Sequence, residues 1–268
     1  MKIEGVGAVP RGDVVEGLGR AGVVSGDVVF VHASLRRLGH LESGPEMVIE
    51  ALLEAVGPGG TVVMPGFSFQ LLEVSAPVFD VLRTPVWASK LYEAFRTRAG
   101  VFRSHHVTHS VCAAGARARE LTAEHSTTPC GAESPFRKLA AWGAKILLMG
   151  VSHNSSTTFH AAEEQEKLFY VGARELVGAT LVDEQGRTRP LLSYVHQMSR
   201  EYDFNRMDEP LTRAGAQQQT AIGGAIVRVV DARAMHDLAV AAVRRDPEAL
   251  LMEGARMKIS VTVSGELG

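Results

Sequence analysis

Cysteine is almost missing from this chain: Cys112 and Cys130 are the two present, in unlike contexts and without a paired spacing. That excludes a disulfide scaffold and a paired-Cys zinc site. It fits a reduced, cytoplasmic protein whose thiols are small buried or partly buried side chains. An excess of one charge is missing too. Lys and Arg number 28 against 30 Asp and Glu, a formal net charge of −2, with no basic run, so no nucleic-acid partner is expected. No apolar stretch approaches the ~20 residues of a membrane span and the N-terminus has no signal-peptide pattern, so no membrane partner is expected either. Also lacking are the Gly-Lys-Ser/Thr phosphate loop, the Gly-x-Ser-x-Gly elbow and the His-Glu-x-x-His metal motif. Gly17-Leu18-Gly19-Arg20-Ala21-Gly22 matches the dinucleotide fingerprint as a bare pattern. It precedes a strand instead of following one, and that context rules it out.

What remains has an ordinary globular composition, 46% hydrophobic and 22% charged over 268 residues. That length can bury a large core, and without repeats, low-complexity tracts or linkers a single domain over residues 1–268 is expected. Residues 11 to 20 read as helix and Val28-Val29-Phe30-Val31 as a buried strand. Pro45 to Val56 reads as an amphipathic helix, ended by Gly57-Pro58-Gly59-Gly60 and followed by the strand Thr61-Val62-Val63-Met64-Pro65. This alternation predicts an α/β fold with a mostly parallel central sheet flanked by helices. Open sheets of that kind bind ligands at the carboxyl ends of their strands, where His32-Ala33-Ser34-Leu35 lies. Residues 66 to 86 read as a long, substrate-facing loop, and 87 to 98 and about 116 to 124 as helices, with a strand at 111 to 114 between them. A further helix starts at Ser134-Pro135-Phe136. Later come a β-rich segment (168 to 182), a helical or irregular one (194 to 210), an apolar run (223 to 230), a helix (234 to 243) and a strand (257 to 263).

The stretch from Ile146 to Glu164 carries the chemistry. Ile146-Leu147-Leu148-Met149 reads as a buried strand closed by Gly150. The Ser/Thr/Asn-rich loop that follows suits a helix N-cap, which places His160 in the first turn of a helix. Glu163 and Glu164 lie three and four residues on, on the face of His160. Imidazole titrates near neutral pH, and a carboxylate beside it fixes the tautomer and stabilises the imidazolium, which is what a general base needs. On spacing alone a solvated helix end or a satisfied structural pair is the stronger reading. His105, His106 and His109 lack a companion cysteine or carboxylate, so no metal is expected; they read as hydrogen-bonding groups around a polar ligand.

Five segments, in order along the chain, resemble the motifs of the aminoglycoside 3-N-acetyltransferase family. They are Val31-His32-Ala33-Ser34-Leu35 with Gly39, Arg103 to Ser110, Thr127-Thr128-Pro129-Cys130-Gly131 through Phe136, Gly150 to Glu163, and Gly223-Gly224-Ala225. The resemblance implies an acetyl-coenzyme A-dependent N-acetyltransferase acting on the 3-amino group of aminoglycosides and giving antibiotic resistance. It also implies a fold distinct from the Gcn5-related one, whose Arg/Gln-x-x-Gly-x-Gly/Ala motif is absent here. It further implies that His160 is the base, that Glu163 is its carboxylate partner, and that His32 lies in the active site. On the same resemblance Ser34, Ser104 and Ser110 hold the coenzyme, with Leu35 and His106 beside them. Three positions depart from the pattern: Asn154 stands where Asp is usual, Ser156 where Asn is common, and Val107 where Pro is usual.

The chemistry expected is attack of a free amine on the thioester. The base contributes about 10²–10⁴-fold, and the backbone amides near Ala33-Ser34 or the His32 imidazole serve as oxyanion donors. The thioester is already activated, so neither cysteine needs a role. Polyamines need carboxylates. Asn154, Glu164, Glu201 and Asp203 are the candidate acceptor-binding residues, with Asp208 and Glu209 extending an acidic wall. Asn154 leaves room for a different acceptor, so N-acylation of another amine-bearing metabolite stands beside the antibiotic reading. A catalytically silent coenzyme- or sugar-binding module is the non-enzymatic alternative.

Overall fold

A computed structural model of the protein describes residues 8–87 and 89–254. Twelve strands are formed among the described residues: β1 (Val28–Ala33), β2 (Thr61–Pro65), β3 (Val78–Asp80), β4 (Phe102–Arg103), β5 (Val111–Gly115), β6 (Lys145–Met149), β7 (Val171–Glu175), β8 (Thr180–Val182), β9 (Thr188–Pro190), β10 (Tyr194–Met198), β11 (Gln217–Ile222) and β12 (Ala225–Asp231). The helices are α1 (Arg11–Arg20), α2 (Leu35–Leu38), α3 (Gly44–Val56), α4 (Lys90–Arg96), α5 (Ala118–Thr122), α6 (Pro135–Trp142), α7 (Phe159–Gln165), α8 (Asp208–Arg213) and α9 (Ala232–Arg245).

Seven strands form the central sheet in the order β11-β12-β6-β1-β2-β5-β4. Its centre, β6-β1-β2, is parallel, with Phe30 opposite both Val63 and Ile146. Antiparallel strands extend it on both sides. Alternate residues of a strand face opposite ways, so each central strand feeds two cores. Phe30, Val63, Ile146 and Leu148 pack on the side of α5, α6, α7 and α9. Val29, Val31, Val62, Met64, Leu147 and Met149 pack on the side of α1, α3 and α4. Burying both faces is what makes these runs continuously apolar rather than alternating. Each fully buried Val, Leu or Phe there contributes about 1.5–3 kcal/mol. Pro45 at the start of α3 and Gly57 at its end delimit the helix as the sequence suggests. Gly150, at φ +67°, ends β6 where a Cβ would meet the Arg37 Cβ at 2.9 Å, so the loop after β1 lies tight against the loop leading to α7.

Two segments fold more regularly than expected. Residues 66 to 86 contain a 3-10 turn (Phe69–Glu73) and β3, which pairs with β8, itself paired with β9, in a small sheet over a core of Phe79, Val81, Val107, Leu181 and Val195. The start of 194 to 210 is strand β10, antiparallel to β7, rather than helix. The strand expected at 257 to 263 lies outside the described residues. Among the described residues no helix is long and apolar enough to cross a membrane.

Candidate active site

The loop after β6 runs through a short 3-10 turn (His153–Ser155) into α7. Thr158 precedes the helix without capping it through its side chain, so the expected N-cap bond is not made. Phe159, Ala161 and Ala162 bury the helix in the core and fix the direction of the residues between them. His160 Nδ1 lies 2.5 Å from Glu163 Oε2, and the Tyr170 hydroxyl donates to Glu163 Oε1 at 2.9 Å. Glu163 is 0% exposed, and both of its oxygens have a donor, which a buried carboxylate requires. Burial and the neighbouring Glu163 push the Tyr170 pKa up, so the phenol remains a donor. A proton on Nδ1 facing Glu163 leaves Nε2 of His160 as the atom able to accept another. Of the two glutamates, Glu163 is therefore the partner of His160.

Glu164 is committed elsewhere. Its Oε2 accepts from His196 Nε2 at 2.8 Å and from the Cys130 amide at 3.0 Å, and Thr128 donates to Oε1. Burial alone would raise its pKa, but donation from His196 and Thr128 outweighs that and holds the carboxyl below its usual range. Both of its oxygens, expected to face the acceptor, are engaged within the protein. The His196 ring stands 5.5 Å from that of His160, centre to centre, and 5.9 Å from that of His109. His109 in turn lies 5.4 Å from Phe67 and 5.1 Å from Phe69.

Those two phenylalanines line a cavity of about 260 Å³ at the carboxyl ends of β1 and β2. His32, Ala33, Trp87, Val151 and Ser155 complete much of its wall. A continuous row of rings thus leads from the cavity to His160. His32 is 3% exposed, its Nε2 has no hydrogen-bond partner, and burial lowers its pKa to about 3. It is neutral throughout the ordinary pH range. The amides expected to share its oxyanion role are already used: Ala33 N–H donates to the Tyr92 hydroxyl at 2.8 Å and Ser34 N–H to the Met149 carbonyl at 2.9 Å. Ser34 and Leu35 are half-buried just beyond Ala33, and the Ser34 side chain makes no capping bond to α2.

The other coenzyme residues suggested by sequence are structural. Ser104 Oγ is 2.9 Å from His125 Nδ1 and accepts from the Val111 amide. Ser110 Oγ donates to the Gly66 carbonyl at 2.6 Å and accepts from Arg103 Nε at 3.0 Å. His106 Nδ1 accepts from the amides of Thr108 and His109. All three residues are buried, and these bonds hold the turn between β4 and β5. Burial also pushes His106 and His109 well below 6.5 and His125 to about 4. Among the described residues, no group of three or more His, Cys, Asp or Glu is placed to hold a metal ion. Burial raises Cys112 to about 11 and Cys130 well above its ordinary value, so neither thiol is a ready nucleophile.

The acidic wall is mostly occupied. Asp203 caps the 3-10 turn Phe204–Met207 by accepting from the Asn205 amide, which Asn154 Oδ1 also accepts at 3.2 Å. Asp208 accepts from His153 Nε2 at 3.1 Å and from Gln217, and Glu209 pairs with Arg213. Glu201 is exposed. What this segment delivers to His160 is aromatic: the rings of Tyr202 and Phe204 stack at 4.5 Å and stand 5.2 and 5.1 Å from the imidazole. Sequence reading missed Tyr170, His196, Tyr202 and Phe204. The hydrophobic and aromatic run Leu168-Phe169-Tyr170 was the one local signal available.

Residues 30–244 match the family described as aminoglycoside 3-N-acetyltransferase. Aminoglycoside N(3)-acetyltransferase IV of a Salmonella species is 30% identical over 241 residues, 88% of either chain. Type VII of Streptomyces paromomycinus is 33% identical over 175 residues, 59% of this chain and 61% of its own. Among solved structures, the AAC(3)-IVa apoenzyme has a TM-score of 0.79 at 27% identity, with 93% of this chain and 94% of that one covered. AAC-IIIb in binary complex with CoASH has a TM-score of 0.78 at 26% identity, covering 89% and 97%. With the His160–Glu163 pair at the head of α7 and the match running from β1 to α9, the chain belongs to the aminoglycoside 3-N-acetyltransferase family.

Proposed function

We propose that this protein transfers the acetyl group of acetyl-coenzyme A to an amine of an aminoglycoside, with His160 as the base and Glu163 as the carboxylate that orients it. The carrying observation is the buried His160–Glu163–Tyr170 chain, whose free imidazole nitrogen is Nε2. Two relatives support the ligand classes: AAC-IIIb binds CoASH, and a histidine-to-alanine mutant of AAC(3)-IVa binds apramycin. A seven-stranded sheet with a core on each face gathers most of the described elements, in keeping with a single domain. Two buried free thiols favour a reducing, cytoplasmic setting.

The cavity beside His32 suits the coenzyme arm. Its aromatic and aliphatic lining matches an extended apolar chain, and the unpaired His32 Nε2 is a polar atom in want of a partner. Ser34 and Leu35 lie where that arm would leave the cavity. The coenzyme supplies an activated thioester when bound. His160 Nε2 takes a proton from the attacking amine, and Glu163 holds the ring in one tautomer and balances the imidazolium charge. His32, neutral and in the wall of that cavity, is the candidate donor to the carbonyl oxygen. Tyr202, half-buried and backed by the buried Phe204, gives the sugar ring an apolar wall, with the exposed Asn154 on the same loop cluster. A second reading, a less cationic amine as acceptor, is favoured by the engagement of Asp203, Asp208 and Glu209. Thiol release from acetyl-coenzyme A, measured against a panel of aminoglycosides and simpler amines, tests both. Turnover confined to the simpler amines contradicts the first reading.

A further inference from the structure

The reaction just proposed has a proton balance that a single base does not close. At neutral pH an alkylamine arrives as an ammonium ion with three hydrogens on nitrogen, and the product amide nitrogen keeps one. As the N–C bond forms and the C–S bond breaks, two protons must leave that nitrogen. One ends on the departing coenzyme thiolate, and the other ends in water.

Consecutive glutamates of α7 hold two imidazoles side by side. Glu163 takes His160 and Glu164 takes His196, at 2.5 and 2.8 Å, and the ring centres lie 5.5 Å apart. A single ammonium group can span that separation. The two rings are bound by opposite nitrogens, so His160 keeps Nε2 and His196 keeps Nδ1. His196 Nδ1 has no hydrogen-bond partner among the described residues. Thr128 and the Cys130 amide hold Glu164 on its other bonds, so the pair is a built fixture rather than a chance surface contact.

We infer that His196 is a second base of this site: its Nδ1 takes the first proton from the substrate ammonium and passes it to water, and His160 then takes the second and returns it to the thiolate. The inference rests on the acetyl-transfer reading. The groups facing His196 are Glu164 and His160 from α7 and His109 from the turn between β4 and β5, with His106 behind it; its partner on β7 is Ala173. Burial keeps His106 and His109 uncharged, so Glu164 is the charge in direct contact with His196.

His196→Gln tests this, because a glutamine amide can still donate to Glu164 while being unable to accept a proton. The readout is kcat/KM for an aminoglycoside between pH 6 and 9.5, by thiol release. The variant should lose roughly 10²-fold at the acid end. The gap should close as pH rises through the acceptor's own amine pKa, where the amine arrives already deprotonated. A merely structural role predicts the same loss at every pH, and that result, or no loss at the acid end, would overturn the inference. The wild-type enzyme supplies a second arm that needs no folded variant. Two acceptors with amine pKa values about two units apart should share one acid limb, set by the enzyme. Acid limbs that track the amine overturn the second base. Absence of wild-type turnover with any aminoglycoside overturns the acetyl-transfer reading and this inference with it, whereas turnover with a pH-independent gap overturns this inference alone.

Discussion

Replacing Tyr170 with phenylalanine isolates one bond of the candidate site. Tyr170 is 0% exposed, and its hydroxyl donates to Glu163 Oε1 at 2.9 Å. Phenylalanine keeps the ring and its packing, so the change removes a donor from a fully buried carboxylate and little else. Hydrogen bonds to charged groups contribute about 1.5–3 kcal/mol, and the oxygen left behind has no water to turn to. At about 2–4 °C per kcal/mol for a chain near this size, Tyr170→Phe should lower Tm by roughly 3–12 °C at pH 7. Turnover should drop by about 10-fold, since Glu163 keeps His160 but loses its other anchor, while the coenzyme KM stays put. Thermal melts at pH 7 and initial rates of thiol release read out both effects. An unchanged Tm together with unchanged turnover would show that this bond neither holds nor tunes Glu163.

Acid should destabilise the protein through its buried histidines. Burial holds His32 at about 3 and His125 at about 4 against an ordinary 6.5, with His106 and His109 lowered too. Each folded-state value lies below the unfolded one, so the unfolded chain binds more protons and stability is lost as pH falls from about 6.5 toward about 3. A melting series from pH 7.5 to 5 should show Tm falling below pH 6.5, and a flat series would contradict the assignment. Ser110→Ala should cost about 1–3 kcal/mol, because it strips a partner from Arg103 Nε and from the Gly66 carbonyl, yet leave coenzyme A affinity unchanged. Equilibrium unfolding and coenzyme titration check the two halves, and a selective loss of coenzyme affinity would restore Ser110 to the binding surface. Asn154→Asp adds a carboxylate at an exposed position beside the aromatic wall. It should lower the KM for a polycationic acceptor at low salt, with the gain fading as ionic strength rises. A gain independent of salt would point to geometry instead of charge.

Much of the scaffold was legible because its signals are local. Val28-Val29-Phe30-Val31 and Ile146 to Met149 are unbroken apolar runs, Pro45 and Gly57 bracket α3, and the spacing of His160 and Glu163 places them one turn apart on any helix. What stayed hidden depends on distant partners. β10 offers weak alternation in Tyr194-Val195-His196-Gln197-Met198, and its pairing with β7 joins residues about twenty apart. His196 reaches Glu164 across 32 positions, and no periodicity predicts which of two adjacent glutamates turns toward which histidine. The intramolecular bonds of Ser104 and Ser110 were hidden for a similar reason: a motif names the residue, but packing decides what its hydroxyl bonds to within the protein. The acidic residues from 201 to 209 looked like a cation-binding wall by composition. Short-range caps and ion pairs took up most of those carboxylates, leaving Tyr202, stacked on the buried Phe204, as the surface beside the base.

The account turns on His160 acting upon the acceptor amine and not upon the coenzyme. His160→Ala tests this with two readings on one preparation: turnover by thiol release with a saturating aminoglycoside, and coenzyme A affinity by titration. The prediction is a fall in kcat of at least about 10²-fold with coenzyme A affinity unchanged. Turnover near that of the wild-type enzyme would remove His160 from the chemistry and contradict the account.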